Sequence, residues 1–246
     1  MSGKEISPTR NNPTLIKGQV IATFGRQFEV KTSEGLVLIC YMRGKKGGVA
    51  CGDQVEILPI TPGQGVIESV LPRTNLFYRS DSFRQKLIAA NVTQLIIVVA
   101  VIPSFSETLI DHYLVAAENE KIKVLIVLNK CDLSEKAHTA SEKLALYQQL
   151  GYPCLSISAA KDIKPLIPYL HQQKSLLIGQ SGMGKSTIIN ALIPEAQRAT
   201  MEISLALDSG RHTTTHARLY YLDAASTIID SPGMQEFGIH HIDKAN

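Results

Sequence analysis

The chain has 246 residues, 44% apolar and 19% charged, an ordinary globular balance that excludes disordered, collagen-like and coiled-coil classes. Its longest apolar run, residues 95–102, is eight residues, far short of the roughly 18 of a membrane span, and the first dozen residues lack a secretory signal's apolar core, so a cytoplasmic protein without membrane contact is expected. The net charge of +3 is uneven: residues 1–86 carry 12 Lys/Arg against 7 Asp/Glu and the rest 13 against 15, which suggests an anionic partner, nucleic acid before membrane, for the front part.

In chain order, residues 17–23, 27–32, 36–41, 54–60 and 65–71 read as five short β-strands, separated by turn signals at 33–35, 44–48, 51–53 and 61–63. Short alternating strands with glycine-bearing turns predict a small closed β barrel. Beyond about residue 85 the pattern changes. Nearly continuous apolar runs at 95–102, 124–128, 154–157, 175–178 and 227–229 are interleaved with helical patterns at 107–120, 134–150 and 185–192. A strand with no polar face is buried on both sides, so these runs predict a parallel sheet covered by helices. Ser134 suits a helix N-cap and Gly151 a helix stop. The expected architecture is a barrel domain, residues 1–82, followed by an α/β domain, residues 83–246.

The strongest chemical signal is Gly179-Gln180-Ser181-Gly182-Met183-Gly184-Lys185-Ser186-Thr187, directly after a predicted strand and opening a predicted helix. This is the G-x-x-x-x-G-K-[ST] pattern in its required context. Its glycines let backbone N–H groups turn inward around phosphates, and the helix N-terminus adds free donors and a positive dipole end. Lys185 is expected to reach the β and γ phosphates, a catalytic role, and Ser186 to ligate Mg²⁺.

Asn129-Lys130-Cys131-Asp132 follows the run at 124–128 and names the base. A carboxylate edge-on to guanine accepts from N1–H and the exocyclic amine, which adenine does not present there; an acceptor left unpaired is costly, so such a site discriminates strongly. Asp132 takes that role, Asn129 ties the loop to the phosphate loop, and the Lys130 stem covers the base. Ser158-Ala159 follows the next strand, 29 residues after Asn129, with the Ala159 N–H the expected donor to guanine O6. Asp230-Ser231-Pro232-Gly233 fits D-x-x-G: Asp230 is expected to hold Mg²⁺ through water, and the Gly233 N–H to sense the γ-phosphate. Between lies Asp208-Ser209-Gly210-Arg211-His212-Thr213-Thr214-Thr215. One of its threonines is expected to close over Mg²⁺. Thr214 is favoured, although sequence does not choose among the three, and a threonine-rich strand entry would look alike.

A Ras-like GTPase orders its motifs as phosphate loop, switch threonine, D-x-x-G, N-K-x-D, S-A. Here N-K-x-D and S-A come first, a circular permutation that one sheet still accommodates because the old termini lie together at the surface. The permuted order, the phrase GQSGMGKSTIIN, the HTTT segment, DSPG with Phe237-Gly238 after it, and the preceding barrel resemble the RsgA (YjeQ) family from about residue 15 to 246. The resemblance implies an oligonucleotide-binding (OB) barrel, a permuted P-loop GTPase domain, Mg²⁺ with GTP or GDP, and hydrolysis stimulated by the small ribosomal subunit and its rRNA in late subunit maturation.

It also implies a C-terminal zinc domain with closely spaced Cys and His ligands. Here the cysteines are Cys40, Cys51, Cys131 and Cys154, without any C-x-x-C, and read as small buried hydrophobes in a reducing compartment; His240-His241 alone does not make a four-ligand site. Zinc is therefore expected only in a C-terminal domain beyond these residues; the chain is read as shortened, the alternative being a member that lacks that domain.

The position after Gly233 holds Met234, which cannot orient water, with Gln235 one further on. Slow intrinsic turnover is expected, completed by the partner, with His212 a candidate for orienting the water; Arg211 or His212 touching RNA, or being solvated, is the alternative. The segments 208–215 and 230–238 are expected to respond to the nucleotide, with 196–216 mobile in its absence. On the barrel, Arg26, Arg43, Lys45, Lys46, Arg73 and Arg79 with Phe24 and Tyr41 are candidates to hold RNA by phosphate contact and stacking; solvated turns would look the same. A monomer is expected. A nucleotide-regulated RNA-binding module with negligible hydrolysis, and a permuted GTPase of the large subunit, are the competing readings.

Overall fold

Alternation of apolar and polar residues builds the first third of the chain, and unbroken apolar runs build the rest. The computed structural model describes residues 14–44, 48–80, 85–133, 137–194, 216–240 and 242. The barrel strands are β1 (Ile16–Phe24), β2 (Gln27–Thr32), β3 (Val37–Met42), β4 (Gln54–Thr61) and β5 (Gln64–Val70). In β2, Phe28, Val30 and Thr32 point inward and their neighbours outward, the period-2 pattern of a sheet with one wet face. β1 pairs with both β2 and β4, β4 with β5, β5 with β3 in parallel, and β3 with β2. That circuit closes the barrel, with Val20, Val30, Cys40, Val55 and Ile57 fully buried inside it. A register shift in β1 between Val20 and Ala22 bends the strand, just where Ala22 pairs onward with Arg218.

Two strands follow that the sequence reading does not separate: β6 (Leu76–Ser80) and β7 (Gln85–Ala90), a two-stranded antiparallel sheet of its own. The expected division at residues 82 and 83 lies outside the described residues, between these two paired strands. β7 touches the barrel through a Cys51–Ala89 bridge and the Ala90 N–H, which donates to Cys51 O at 2.8 Å.

The α/β region contains β8 (Gln94–Ala100), α1 (Glu107–Asn119), β9 (Lys123–Asn129), α2 (Ala137–Gln149), β10 (Cys154–Ser156), a 3₁₀ turn at Lys164–Leu166 running into the short α3 (Ile167–Leu170), β11 (Lys174–Ile178), α4 (Lys185–Leu192), β12 (Arg218–Tyr221) and β13 (Thr227–Asp230). The order β10-β9-β8-β11-β13 is parallel throughout, and every residue of β8 is buried. β12 joins antiparallel to β13 and links the sheet to β1 of the barrel. Ser106 caps α1, its hydroxyl accepting from the Leu109 N–H; Gly151, at φ +91°, follows α2 in the left-handed conformation that ends helices. The expected cap Ser134 lies outside the described residues. α3 and β12 were missed because four residues are too few to display a period.

Because β9, β10, β11 and β13 are parallel, all four chemical motifs emerge at the carboxyl edge of one sheet, where open α/β folds bind ligands. Although β8, β9 and β10 come earlier in the chain than β11, β8 pairs directly with it. The motifs converge despite their permuted order.

Candidate functional site

The phosphate loop runs from the end of β11 into α4. Gly184, the residue before α4, sits at φ +95°, and a Cβ there would collide with the Asn129 side-chain amide. Gly179 likewise lies against the Val98 carbonyl. Lys185 is buried, and its Nζ donates to the carbonyls of Gly179 (2.9 Å) and Gln180 (3.0 Å). Burial lowers its pKa to about 8, opposed by the negative charge of Asp230. The ammonium is thus held inside the loop, where an arriving phosphate would replace two weak acceptors with a strong one. Met183 is buried beneath, while Ser181, Gly182, Ser186 and Thr187 face solvent. The Gln180 carboxamide reaches outward, accepting from the Ser106 N–H at 2.9 Å.

The N-K-x-D loop is wired into this one. The Asn129 amide donates to Met183 O (3.1 Å), and its oxygen accepts from the Ala159 N–H (3.0 Å), so one buried side chain joins the phosphate, N-K-x-D and S-A loops. Lys130, at φ +62°, donates to Ile102 O and Gly182 O, both at 2.8 Å, which stretches its stem between the loops. Asp132 remains at the rim. The Ser158 hydroxyl accepts from its N–H at 2.8 Å and, as the largest influence on its carboxyl, keeps it below the usual carboxylate range, with Lys161, 3.5 Å away, adding to the effect. Lys161 was missed as a partner of Asp132; its place three residues after Ser158 was the available signal. The Ala159 N–H, expected to meet guanine O6, has Asn129 as its acceptor here, so a bond to a base would replace or share that one.

On the γ-phosphate side, Asp230 is buried at the end of β13. Ser231 donates to Leu177 O (2.6 Å), Met234 N–H to Gly179 O (3.2 Å), and Gly233 packs against Ser181. Gln235 meets Gln180 at 3.5 Å. Arg211, His212, Thr213, Thr214 and Thr215, and with them the expected catalytic and threonine-ligand positions, lie outside the described residues.

The donor set suits Mg²⁺. Among the described residues no three His, Cys, Asp or Glu form a cluster, and none is needed: Mg²⁺ typically keeps waters and substrate phosphates and takes one or two protein oxygens. A buried carboxylate at Asp230 and a hydroxyl at Ser186 on the first turn of α4 are oxygens of that kind.

Of the RNA candidates, Arg73 is reassigned. It donates through Nε and Nη2 to the fully buried Asp53 carboxylate, both at 2.7 Å, and to Gly48 O, so it neutralises a buried charge rather than facing a partner. Arg43 pairs with Glu68, and Arg79 donates to Glu236 O. Phe24 packs against His216, with ring centroids 5.1 Å apart and the planes tilted by 49°. Arg26 and Tyr41 line a cavity of about 1220 Å³ between barrel and α/β region, whose far wall includes Gly233 and Gln235. Lys45 and Lys46 lie outside the described residues.

An OB-type barrel joined to a phosphate-loop sheet whose base loop precedes its phosphate loop defines a circularly permuted GTPase. The family model described as RsgA GTPase matches residues 70–240, and the chain belongs to that family. It is 59% identical over 235 residues to the small ribosomal subunit biogenesis GTPase RsgA of Nitrosospira multiformis, covering 96% of this chain and 75% of the relative, and 50% identical over 228 residues to the protein of that name from Neisseria meningitidis, covering 93% and 74%. The crystal structure of YjeQ from Thermotoga maritima superposes with a TM-score of 0.62 at 33% identity, over 89% of this chain and 75% of that one. That of YloQ, described as a circularly permuted GTPase, gives 0.62 at 24% identity over 96% and 78%.

Proposed function

We propose that this protein hydrolyses GTP to GDP and phosphate when it meets the small ribosomal subunit, and that it acts in the cytoplasm, as a monomer, in late maturation of that subunit. The observation that carries the nucleotide reading is Asn129, whose one amide group bonds both the phosphate loop and the S-A loop. The names of the relatives support the ribosomal part.

In this reading Asp132, kept ionised, accepts from guanine N1–H and the exocyclic amine, while the Lys130 stem covers the ring. Backbone N–H groups of residues 179–187 surround the phosphates, and Lys185 neutralises charge that grows on the β–γ bridge and γ oxygens in the transition state. Ser186, Asp230 and Thr214 are the residues that would hold Mg²⁺, which when bound supplies further compensation of phosphate charge. The Gly233 N–H reports the γ-phosphate. Met234 is buried and offers the attacking water no polar group, so the water is oriented by His212 on the partner-bound enzyme. The barrel, with Arg26 and Tyr41 facing the cavity, receives rRNA. We place the domain boundary near residue 72, since β6 and β7 pair with each other and the family match begins at residue 70.

The test is GTP turnover measured with and without small ribosomal subunits. Stimulation of tenfold or more supports the proposal. Guanine-specific binding with turnover unchanged by subunits would instead favour a nucleotide-regulated RNA-binding module.

A further inference from the structure

The D-x-x-G motif ends at Gly233, and the residues just after it are bonded to elements far away in the chain. The carbonyls of Glu236, Phe237 and Gly238, three in succession, each have a partner from an element distant in sequence. Arg79 Nη1 donates to Glu236 O at 3.0 Å, His112 Nδ1 lies 2.8 Å from Phe237 O, and the Ser80 N–H donates to Gly238 O at 3.0 Å. A carbonyl only accepts, so His112 carries its proton on Nδ1. Between these bonds the Phe237 ring, 2% exposed, is packed against Phe77 (centroids 5.4 Å apart) and edge-on to Tyr113 (5.0 Å). Ser80 also bridges to Ile239 in parallel register.

An aromatic anchor flanked by bonded carbonyls fixes both the position and the direction of a segment that has no regular structure of its own. Its other end is fixed at the phosphate loop, where the Met234 N–H meets Gly179 O and Gly233 lies on Ser181. Residues 233–238 are therefore strung between two supports. One is the nucleotide cradle. The other is β6 together with α1, and the β6–β7 hairpin is itself bonded to the barrel: Asn91, just beyond β7, donates to Gly52 O and accepts from the Thr74 N–H.

The geometry points to Arg79 and His112 as positioning residues for the γ-phosphate sensor. They clamp the segment after Gly233 so that its N–H is set against the phosphate loop, and the hairpin makes that clamp continuous with the barrel. A partner that shifts the barrel shifts the clamp. This deepens the proposed GTPase reading and rests on it. It also gives Arg79 a place in the molecule other than RNA contact.

The experiment uses the full chain and four variants: Arg79→Ala, Arg79→Lys, His112→Ala and His112→Asn, the last retaining a donor near the Nδ1 position. Affinities for GDP and for a non-hydrolysable GTP analogue are measured by titration, and turnover with and without small ribosomal subunits. GDP makes no γ-phosphate contact, so its affinity is expected to stay within about twofold. Analogue affinity is expected to fall about fivefold for each lost donor and stimulated turnover about tenfold, with Lys and Asn restoring most of both. Equal analogue-to-GDP ratios and equal stimulated turnover in wild type and alanine variants would overturn the clamp. So would a parallel loss of GDP binding, which marks a residue serving the fold alone. If wild type itself does not respond to subunits, the ribosomal reading fails, while the analogue-to-GDP ratio still decides the clamp.

Discussion

The two halves of the nucleotide site are held in different ways. On the base side, Asn129 and Lys130 reach into neighbouring loops with their own side chains, and the Asp132 carboxylate pairs with Lys161 while its N–H donates to Ser158. On the D-x-x-G side Ser231 bonds Leu177 O with its own hydroxyl, while beyond the motif the carbonyls of residues 236–238 are gripped from β6 and α1. The contrast teaches that the proposed base loop is preorganised by its own motif, whereas the segment after the proposed phosphate sensor depends on groups brought from elsewhere in the chain. A preorganised site favours tight, specific binding. A sensor held from outside can be moved from outside, which suits a stimulated enzyme.

The largest effect expected is on the element both halves share. Lys185→Ala removes the ammonium from a buried loop and should weaken GTP and GDP alike by about 1000-fold, read by calorimetric titration; selective loss of GTP alone would place Lys185 on the γ side only. Next, Asp132→Asn should weaken GTP about 100-fold. The new N–H would face the guanine amine but would suit the carbonyl that xanthine carries there. Competition with xanthosine triphosphate therefore checks the base half, and an unchanged preference for GTP would remove Asp132 from it.

Asn129→Ala should cost about 2 kcal/mol of stability, because it strands the Met183 carbonyl and the Ala159 N–H without their partner; the denaturation midpoint in urea tests this. A smaller, pH-dependent effect follows from Lys185. Its folded pKa of about 8 lies below the ordinary 10.5. Between those values the unfolded chain holds a proton that the native protein has released, so this group makes stability rise with pH across that window. Nucleotide affinity moves the other way, falling about tenfold between about pH 7.5 and 9.5 as the ammonium is lost. Lys185→Met should abolish both slopes, and their survival in that variant would assign them to another group. Smallest of all, Arg26→Ala should weaken RNA binding about threefold and reduce its salt dependence by about one phosphate contact, measured by filter binding over a salt series.

Much of this molecule is legible in its sequence, for reasons that differ by region. The barrel strands alternate and the sheet strands do not, so one rule of burial separates the two parts. The phosphate loop is legible because its glycines have no substitute: at Gly184 a side chain would strike Asn129. The N-K-x-D loop was read residue by residue, and Asn129 does bond the phosphate loop as expected. The β6–β7 hairpin was not legible, since residues 76–78 and 87–90 are apolar runs too short to show a period. Arg73 was read as an RNA contact because a sequence shows a charge without its partner; Asp53, twenty residues earlier, is that partner.

The sequence by itself determined the motifs and their permuted order, and from them which residues are proposed to meet phosphate and base. Those assignments rest on local rules, a turn that only glycine permits or a carboxylate directly after a buried strand, and such rules survive permutation. Only the tertiary structure decided what holds the site together. Arg79 and His112 reach Glu236 and Phe237 across 157 and 125 positions of chain, and separations of that size are set by how the sheet and hairpin pack, which no local pattern records.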